Sequence, residues 1–351
     1  MKAIFKEFEL KGFKIKNRIV MPPMVNFGWS DDNGFVNEKH IKHYEERARA
    51  NVGTIIVEAT AIKKEGRGFI PQLGIWDDSQ IEGMKKITDA CHKYGSVMLL
   101  QLHHGGFYTP ETVSEKAAGP SIDPKISRSY SLATEEIKEL TNDFINGAVR
   151  AKKAGFDGIE IHGAHLYLLC LFASAAINKR TDEYGGRVSK RLKFAGDIIK
   201  GIKNNSGNDF IICYRMGANA PTLDDGIQVA QELEKLGVDI LNVSHGGVNK
   251  LIPQVPENFG YNWIVYSGTE IKKHITIPVI VVNEIKTPER ASYLIENNLT
   301  DFVAIGRDLL TDPQWVEKAC RNEKVNQCIS CKPKCKRYES EELCPAKKLL
   351  G

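Results

Sequence analysis

The sequence predicts a closed (β/α)8 barrel, a TIM barrel, followed by a short cysteine-rich tail. Three observations lead there. Short β-branched runs alternate with longer helical patterns eight times in about 310 residues, the count of a closed barrel. The strand candidates are near-continuously apolar, which suits a parallel sheet buried on both faces. Polar, imidazole and guanidinium groups recur at the C-terminal ends of these strands, where barrel enzymes keep their chemistry. An open doubly wound sheet is the alternative, disfavoured because no Gly-x-Gly-x-x-Gly turn follows the first strand.

In chain order the strand candidates are 18–24, ending on Pro23-Met24, and 53–60, ending on Ala59-Thr60. The third, 96–102, carries Gln101 and runs into His103-His104; the fourth, 158–163, carries His162 and leads to His165. Segments 209–216 and 239–245 follow, with Arg215 and His245 near their ends. The last two, 278–283 and 301–306, deliver Asn283-Glu284 and Gly306-Arg307. Amphipathic stretches at 135–154, 223–236 and 287–298 lie between them, several opened by a Thr or Asp able to cap a helix. Two segments interrupt the repeat, 105–133 and 166–187, and insertions of that length on this face are expected to act as lids or substrate walls.

Composition narrows the function. Hydrophobic residues are 42% and charged residues 26%, ordinary for a globular chain. The longest mostly apolar stretch, Leu166 to Ile177, is too short to span a bilayer, and Glu7, Glu9 and Lys11 interrupt any signal-peptide core. The expectation is a soluble, cytoplasmic protein. The net charge of +4 comes from residues 321–351, which hold eight basic and four acidic residues, so the main body has no basic face for nucleic acid.

The fourth strand ends Glu160-Ile-His162-Gly-Ala-His165-Leu-Tyr167. Two imidazoles three residues apart can aim N–H donors at one carbonyl oxygen, and a phenol beside them can give a proton to a forming carbanion. A satisfied core histidine and a metal pair are the alternatives. In the tail, Cys328, Cys331, Cys335 and Cys344 follow the spacing C-x2-C-x3-C-x8-C. Four thiolates this close can hold a [4Fe–4S] cluster or a tetrahedral Zn²⁺.

With these motifs in this order, the chain resembles the old yellow enzyme family of flavin-dependent ene reductases, from about residue 5 to its last residue. Lys16-Asn17-Arg18-Ile-Val-Met-Pro-Pro-Met24 looks like the first flavin-contacting strand and Val57-Glu58-Ala59-Thr60 like the second. The resemblance implies FMN held by Pro23, Met24, Ala59, Gln101, Arg215, Asn283, Gly306 and Arg307. It implies His162 and His165 as the substrate-carbonyl pair and Tyr167 as proton donor. Asn178-Lys-Arg180-Thr-Asp182-Glu-Tyr184-Gly185-Gly186 resembles a signature loop of the family. The departures are Val25, where relatives carry Cys or Thr, Leu166, where relatives carry Gly, and Asn283-Glu284, where relatives carry a Gly pair.

The tail resembles that of the iron–sulfur branch, the dienoyl-CoA and enoate reductases among them, which implies a [4Fe–4S] cluster on the four cysteines. Longer members of that branch continue into a second flavin and nucleotide domain, whereas this sequence stops at Gly351. The expectations are a barrel at 1–320 and an iron–sulfur segment at 321–351. The substrate would be a small unsaturated carbonyl compound. Electrons would come from NAD(P)H over FMN or from a separate electron-donor protein at the basic tail, and a homo-oligomer is compatible with all of this. An electron-transfer subunit or a flavin dehydrogenase running in the oxidative direction are the rival functions.

Overall fold

The computed structural model describes residues 2–219, 221–247, 251–332, 334–338 and 340–347. In chain order its elements are β1 (Phe8–Leu10), β2 (Phe13–Ile15), β3 (Ile19–Met21), α1 (Glu38–Arg49), β4 (Thr54–Ala61), α2 (Ile81–His92) and β5 (Val97–His103). Then come β6 (Ala117–Gly119), β7 (Ser129–Ser131), α3 (Thr134–Lys153), β8 (Gly158–Gly163), α4 (Leu168–Ala173), α5 (Val188–Arg191), α6 (Lys193–Ser206) and β9 (Ile211–Gly217). The chain finishes with α7 (Leu223–Leu236), β10 (Ile240–Ser244), α8 (Trp263–Lys272), β11 (Val279–Val282), α9 (Pro288–Glu296), β12 (Phe302–Ala304), α10 (Arg307–Thr311) and α11 (Trp315–Cys320).

Strands β3, β4, β5, β8, β9, β10, β11 and β12 close in that order into one parallel barrel, with β12 returning to β3. Each coincides with one of the eight strands expected from the sequence. Their side chains are buried almost throughout, because one face fills the barrel and the other packs under helices. Inside, Val20, Ile56, Leu99, Ile211, Ile240, Ile280 and Phe302 form one cluster, and the β1–β2 hairpin lays Phe8, Leu10 and Phe13 against it as a plug at the N-terminal mouth. The larger apolar layer lies between strands and helices.

Helix starts follow local chemistry. Asn37, Thr222 and Thr287 accept hydrogen bonds from first-turn amides of α1, α7 and α9, and Pro288 occupies a position where its missing N–H costs nothing. No helix among the described residues is long and apolar enough to cross a membrane.

The two excursions are fastened to each other on the C-terminal face. The 105–133 segment folds into a short parallel pair, β6 with β7. In the signature loop, Arg180 donates to Asp182 at 3.0 and 3.1 Å and to the Leu132 carbonyl at 2.6 Å, while Asn178 donates to the carbonyls of Phe172 and Tyr184. These residues buckle the two walls together.

The tail also folds back. Cys328 N donates to Asp308 at 2.8 Å, Asn326 N to Asp312 at 3.0 Å, and Arg337 to the Asn26 side chain at 3.2 Å. The described residues of 321–347 are thus tied to the barrel, and 348–351 lie outside the described residues.

Candidate active site at the C-terminal mouth of the barrel

A cavity of about 310 Å³ opens at this mouth, within the usual range for small-molecule sites. Pro23, Met24, Arg215, Asn283, Gly306 and Arg307 line it, as the sequence expects, together with His165, Ser244 and His245. Ala59, Gln101, His162 and Tyr167 are not on its wall. Ala59 gives its carbonyl to Gln72 at 2.8 Å, and Gln101 is tied down inside the barrel.

Next to Arg215, inside the barrel, lies a buried polar network. Glu160 Oε1 accepts from Gln101 Nε2 at 2.7 Å, and Oε2 accepts from Asn242 Nδ2 at 2.6 Å and from the Cys213 thiol at 3.4 Å. Burial pushes the Glu160 carboxyl above its ordinary range, opposed by the nearby Arg215 guanidinium and these donors. Arg215 is itself buried, and its Nε has no partner, nor does Asn242 Oδ1. Unpaired buried polar atoms are costly, and of these two residues only Arg215 lies on the cavity wall.

Beside this network, β4 breaks register with β5 between Val57 and Thr60. Such an irregularity re-aims side chains at active sites. Here Glu58 turns to accept from Asn26 N at 2.9 Å, Asn26 Nδ2 at 2.7 Å and Tyr44 OH at 3.2 Å, which holds the loop after β3. Burial raises the Glu58 carboxyl to about 7 in spite of these donors.

The imidazoles form a chain. His103 Nδ1 lies 3.0 Å from His162 Nδ1, His162 Nε2 lies 2.9 Å from His165 Nδ1, and His165 Nε2 lies 2.8 Å from Ser244 Oγ. Burial depresses all three imidazoles, His103 to about 3 and the other two well below their ordinary value, so the chain is neutral. Tyr167 packs edge-on against His103 and His162, with ring centroids 4.4 and 4.8 Å away, and burial raises its phenol. His103, Ser244, Glu160 and Asn242 were not singled out as site residues from the sequence. The signal for Glu160 was available: it shares a strand face with His162 two residues on.

Three cavity-lining residues and one neighbour take left-handed backbone angles without being glycine: His165 (φ 62°), Asn283 (108°) and Glu284 (55°), and Leu166 (60°) beside His165. Conformations of this kind cost on the order of 1–3 kcal/mol each and cluster at functional sites. Leu166, Asn283 and Glu284 are also the positions where relatives were expected to carry glycine. The Glu284 carboxylate sits 3.5 Å from Arg307 at the rim.

In the tail, Cys328, Cys331, Cys335 and Cys344 line one small cavity with Leu310, Ile329, Pro345 and Ala346, bounded by Arg307 and Arg337. The [4Fe–4S] cluster expected on these four cysteines finds no support in their placement. Among the described residues no three His, Cys, Asp or Glu groups converge closely enough to hold a single ion. The thiols surround a space and do not meet at a point.

Comparison with known proteins agrees with the fold. Residues 3–326 match the NADH:flavin oxidoreductase / NADH oxidase family. The chain is 39% identical over 347 residues to an NADH oxidase of Thermoanaerobacter brockii, covering 95% of this chain but 53% of that protein, about half its length. It is 35% identical over 329 residues to an NADPH dehydrogenase of Listeria monocytogenes serotype 4b (strain CLIP80459), covering 92% of this chain and 95% of the other. An old yellow enzyme homologue from Zymomonas mobilis superposes with a TM-score of 0.79 at 26% identity, over 93% and 95% of the two chains. A 2-naphthoyl-CoA reductase superposes at 0.83 over 92% of this chain and 52% of its own, and at 23% identity it speaks to fold alone. The family match spans nearly the whole barrel, and the chain belongs to the NADH:flavin oxidoreductase / NADH oxidase family.

Proposed function

We propose that the protein is an FMN-dependent oxidoreductase that reduces carbon–carbon double bonds conjugated to a carbonyl, with NAD(P)H or a reduced carrier protein as electron source. The observation that carries the reading is the mouth itself. A buried guanidinium with an unpaired Nε stands on its wall, Arg307 at its rim, and a phenol packs on an imidazole pair beside it. These residues fit the group: Arg215 would meet the electronegative edge of the isoalloxazine, and Met24, Asn283, Gly306 and Arg307 would hold the rest. The bound flavin supplies a hydride equivalent to the alkene β-carbon.

The chain's own residues do the remainder. His162 and His165 hold the substrate oxygen through ring N–H groups, polarising the alkene as charge builds on that oxygen. Both rings are engaged with protein partners, so the oxygen must take over protons now shared within the imidazole chain; exchanging one hydrogen bond for another costs little. Tyr167, kept protonated by burial, delivers its proton to the α-carbon. The β6–β7 excursion and the Arg180 buckle wall the site against water.

A [4Fe–4S] cluster on Cys328, Cys331, Cys335 and Cys344 belongs to the same proposal. What supports it is the spacing of the four cysteines and the one small apolar cavity they all line. The cluster would accept electrons one at a time from outside.

The deciding experiment is an absorbance spectrum of anaerobically purified protein before and after NADH, with iron and zinc analysis. Flavin bands on a broad iron–sulfur shoulder, bleached by NADH and restored by an enone, are expected. Zinc without iron would overturn the cluster. Bands that NADH leaves unbleached would move the electron source to a carrier protein, and a dithionite-reduced flavin that no enone reoxidises would overturn ene reduction.

A further inference from the structure

The imidazole chain has a direction. His162 and His165 are neutral and use both ring nitrogens inside the chain, so each donates through one and accepts through the other. Only two arrangements satisfy every link. In one, His103 Nδ1–H donates to His162 Nδ1, His162 Nε2–H to His165 Nδ1, and His165 Nε2–H to Ser244 Oγ. In the other, every bond is reversed and begins at the Ser244 hydroxyl.

The blind end chooses between them. His103 Nε2 is buried without a partner. It faces Gly68, where an added Cβ would lie 2.8 Å away. The reversed arrangement would put the His103 proton on that nitrogen, burying an N–H with no acceptor, the rarer and costlier defect. The forward arrangement leaves only an unused lone pair there. It places the N–H of both His162 and His165 on Nε2. It also frees the Ser244 hydroxyl hydrogen to point into the cavity that Ser244 lines with Arg215.

We propose that His103 is a positioning residue that locks His162 and His165 as Nε2–H tautomers and, through them, turns the Ser244 hydroxyl into a donor facing the cofactor cavity. Among the described residues, His103 alone is within hydrogen-bond distance of His162 Nδ1. The inference rests on the proposed function only for what the tautomers serve: in that reading they are the pair of N–H donors a substrate oxygen requires. The tautomers themselves follow from the chain.

The test is long-range 15N–1H correlation of the histidine rings in protein stripped of flavin, so that the readout does not depend on turnover. In the unsubstituted protein, His162 and His165 should both show protonated Nε2 and bare Nδ1. His103→Asp replaces the donor facing His162 Nδ1 with a carboxylate that only accepts, and should shift His162 to the Nδ1–H form. His103→Asn, whose amide can stand in for Nδ1–H, should keep the native pattern and guards against a His103→Asp protein that fails to fold. In the loaded enzyme, His103→Asp should raise KM for an enone about tenfold. An Nδ1–H His162 in the unsubstituted protein, or unchanged tautomers in His103→Asp, would overturn the proposal. Shifted tautomers in a protein that turns over no enone would support the chain and overturn the substrate reading alone.

Discussion

Glu160 holds the side-chain amide of Gln101 at 2.7 Å inside the barrel, where neither residue touches water. The same carboxylate takes Asn242 and the Cys213 thiol and stands near the Arg215 guanidinium, so one acidic group organises four strand ends. Glu160→Ala leaves the buried amides of Gln101 and Asn242 without their acceptor, which costs about 1–3 kcal/mol for each unpaired group. Urea unfolding of the variant checks this; a loss under about 1 kcal/mol would mean the two amides find other acceptors.

Tyr167→Phe removes one oxygen from a ring that otherwise keeps its packing on His103 and His162. Rapid mixing should show reoxidation of reduced enzyme by an enone slowed by about 10²–10⁴. Flavin binding and reduction by NADH should stay within twofold or so, because the phenol makes no hydrogen bond that positions the cavity wall. Equal slowing of both half-reactions would assign Tyr167 a structural part only.

At the rim, the two charged neighbours should pull flavin affinity in opposite directions. Arg307→Ala should weaken FMN binding by about 1.5–3 kcal/mol, the worth of a hydrogen bond to a charged group. Glu284→Gln releases Arg307 from a half-exposed pair worth no more than about 1 kcal/mol, and should tighten binding by a similar amount. Fluorescence titration of FMN into stripped protein measures both. Weaker binding in Glu284→Gln would show that the carboxylate shapes the loop and is not merely repulsive.

Acid should unfold the protein early. Burial lowers His40, His43, His103, His104, His162, His165 and His245, which stay neutral in the fold yet take up protons near pH 6.5 once unfolded. The unfolded chain therefore binds more protons and stability falls as pH drops below 6.5. Glu58, raised to about 7, Glu160, His92, Asp143 and Asp308 act in the opposite sense, since their folded forms hold the proton more tightly. The seven imidazoles outweigh these five. Urea midpoints should fall between about pH 6.5 and pH 5, at up to about 1.4 kcal/mol per unit for each net proton. An equal or higher midpoint at the lower pH would contradict this balance.

The eight strands were legible because each is a near-continuous apolar run, and runs such as 278–283 have no amphipathic alternative. The residues at their C-terminal ends were legible for the same reason, since a barrel strand points its last polar residue at one place. What the sequence could not express was registration between distant strands. His103 precedes His162 by 59 positions, and only the β5–β8 pairing brings their Nδ1 atoms to 3.0 Å. Nor could it show that Ala59 would spend its carbonyl on Gln72, or that Leu166 and Glu284 would adopt angles that glycine prefers. In those loops tertiary packing overrides local preference.

The barrel closes through β12 and β3, which share two registered pairs, Val303 with Ile19 and Ala304 with Val20. During synthesis the ring therefore stays open until residue 304 has left the ribosome, on the order of tens of seconds at cellular rates. For that interval both rims of an incomplete parallel sheet offer unpaired backbone to other chains. Chaperone demand should consequently peak late in translation, and a circular permutant with its new ends between α8 and β11 would move that vulnerable seam without altering one residue of the mouth.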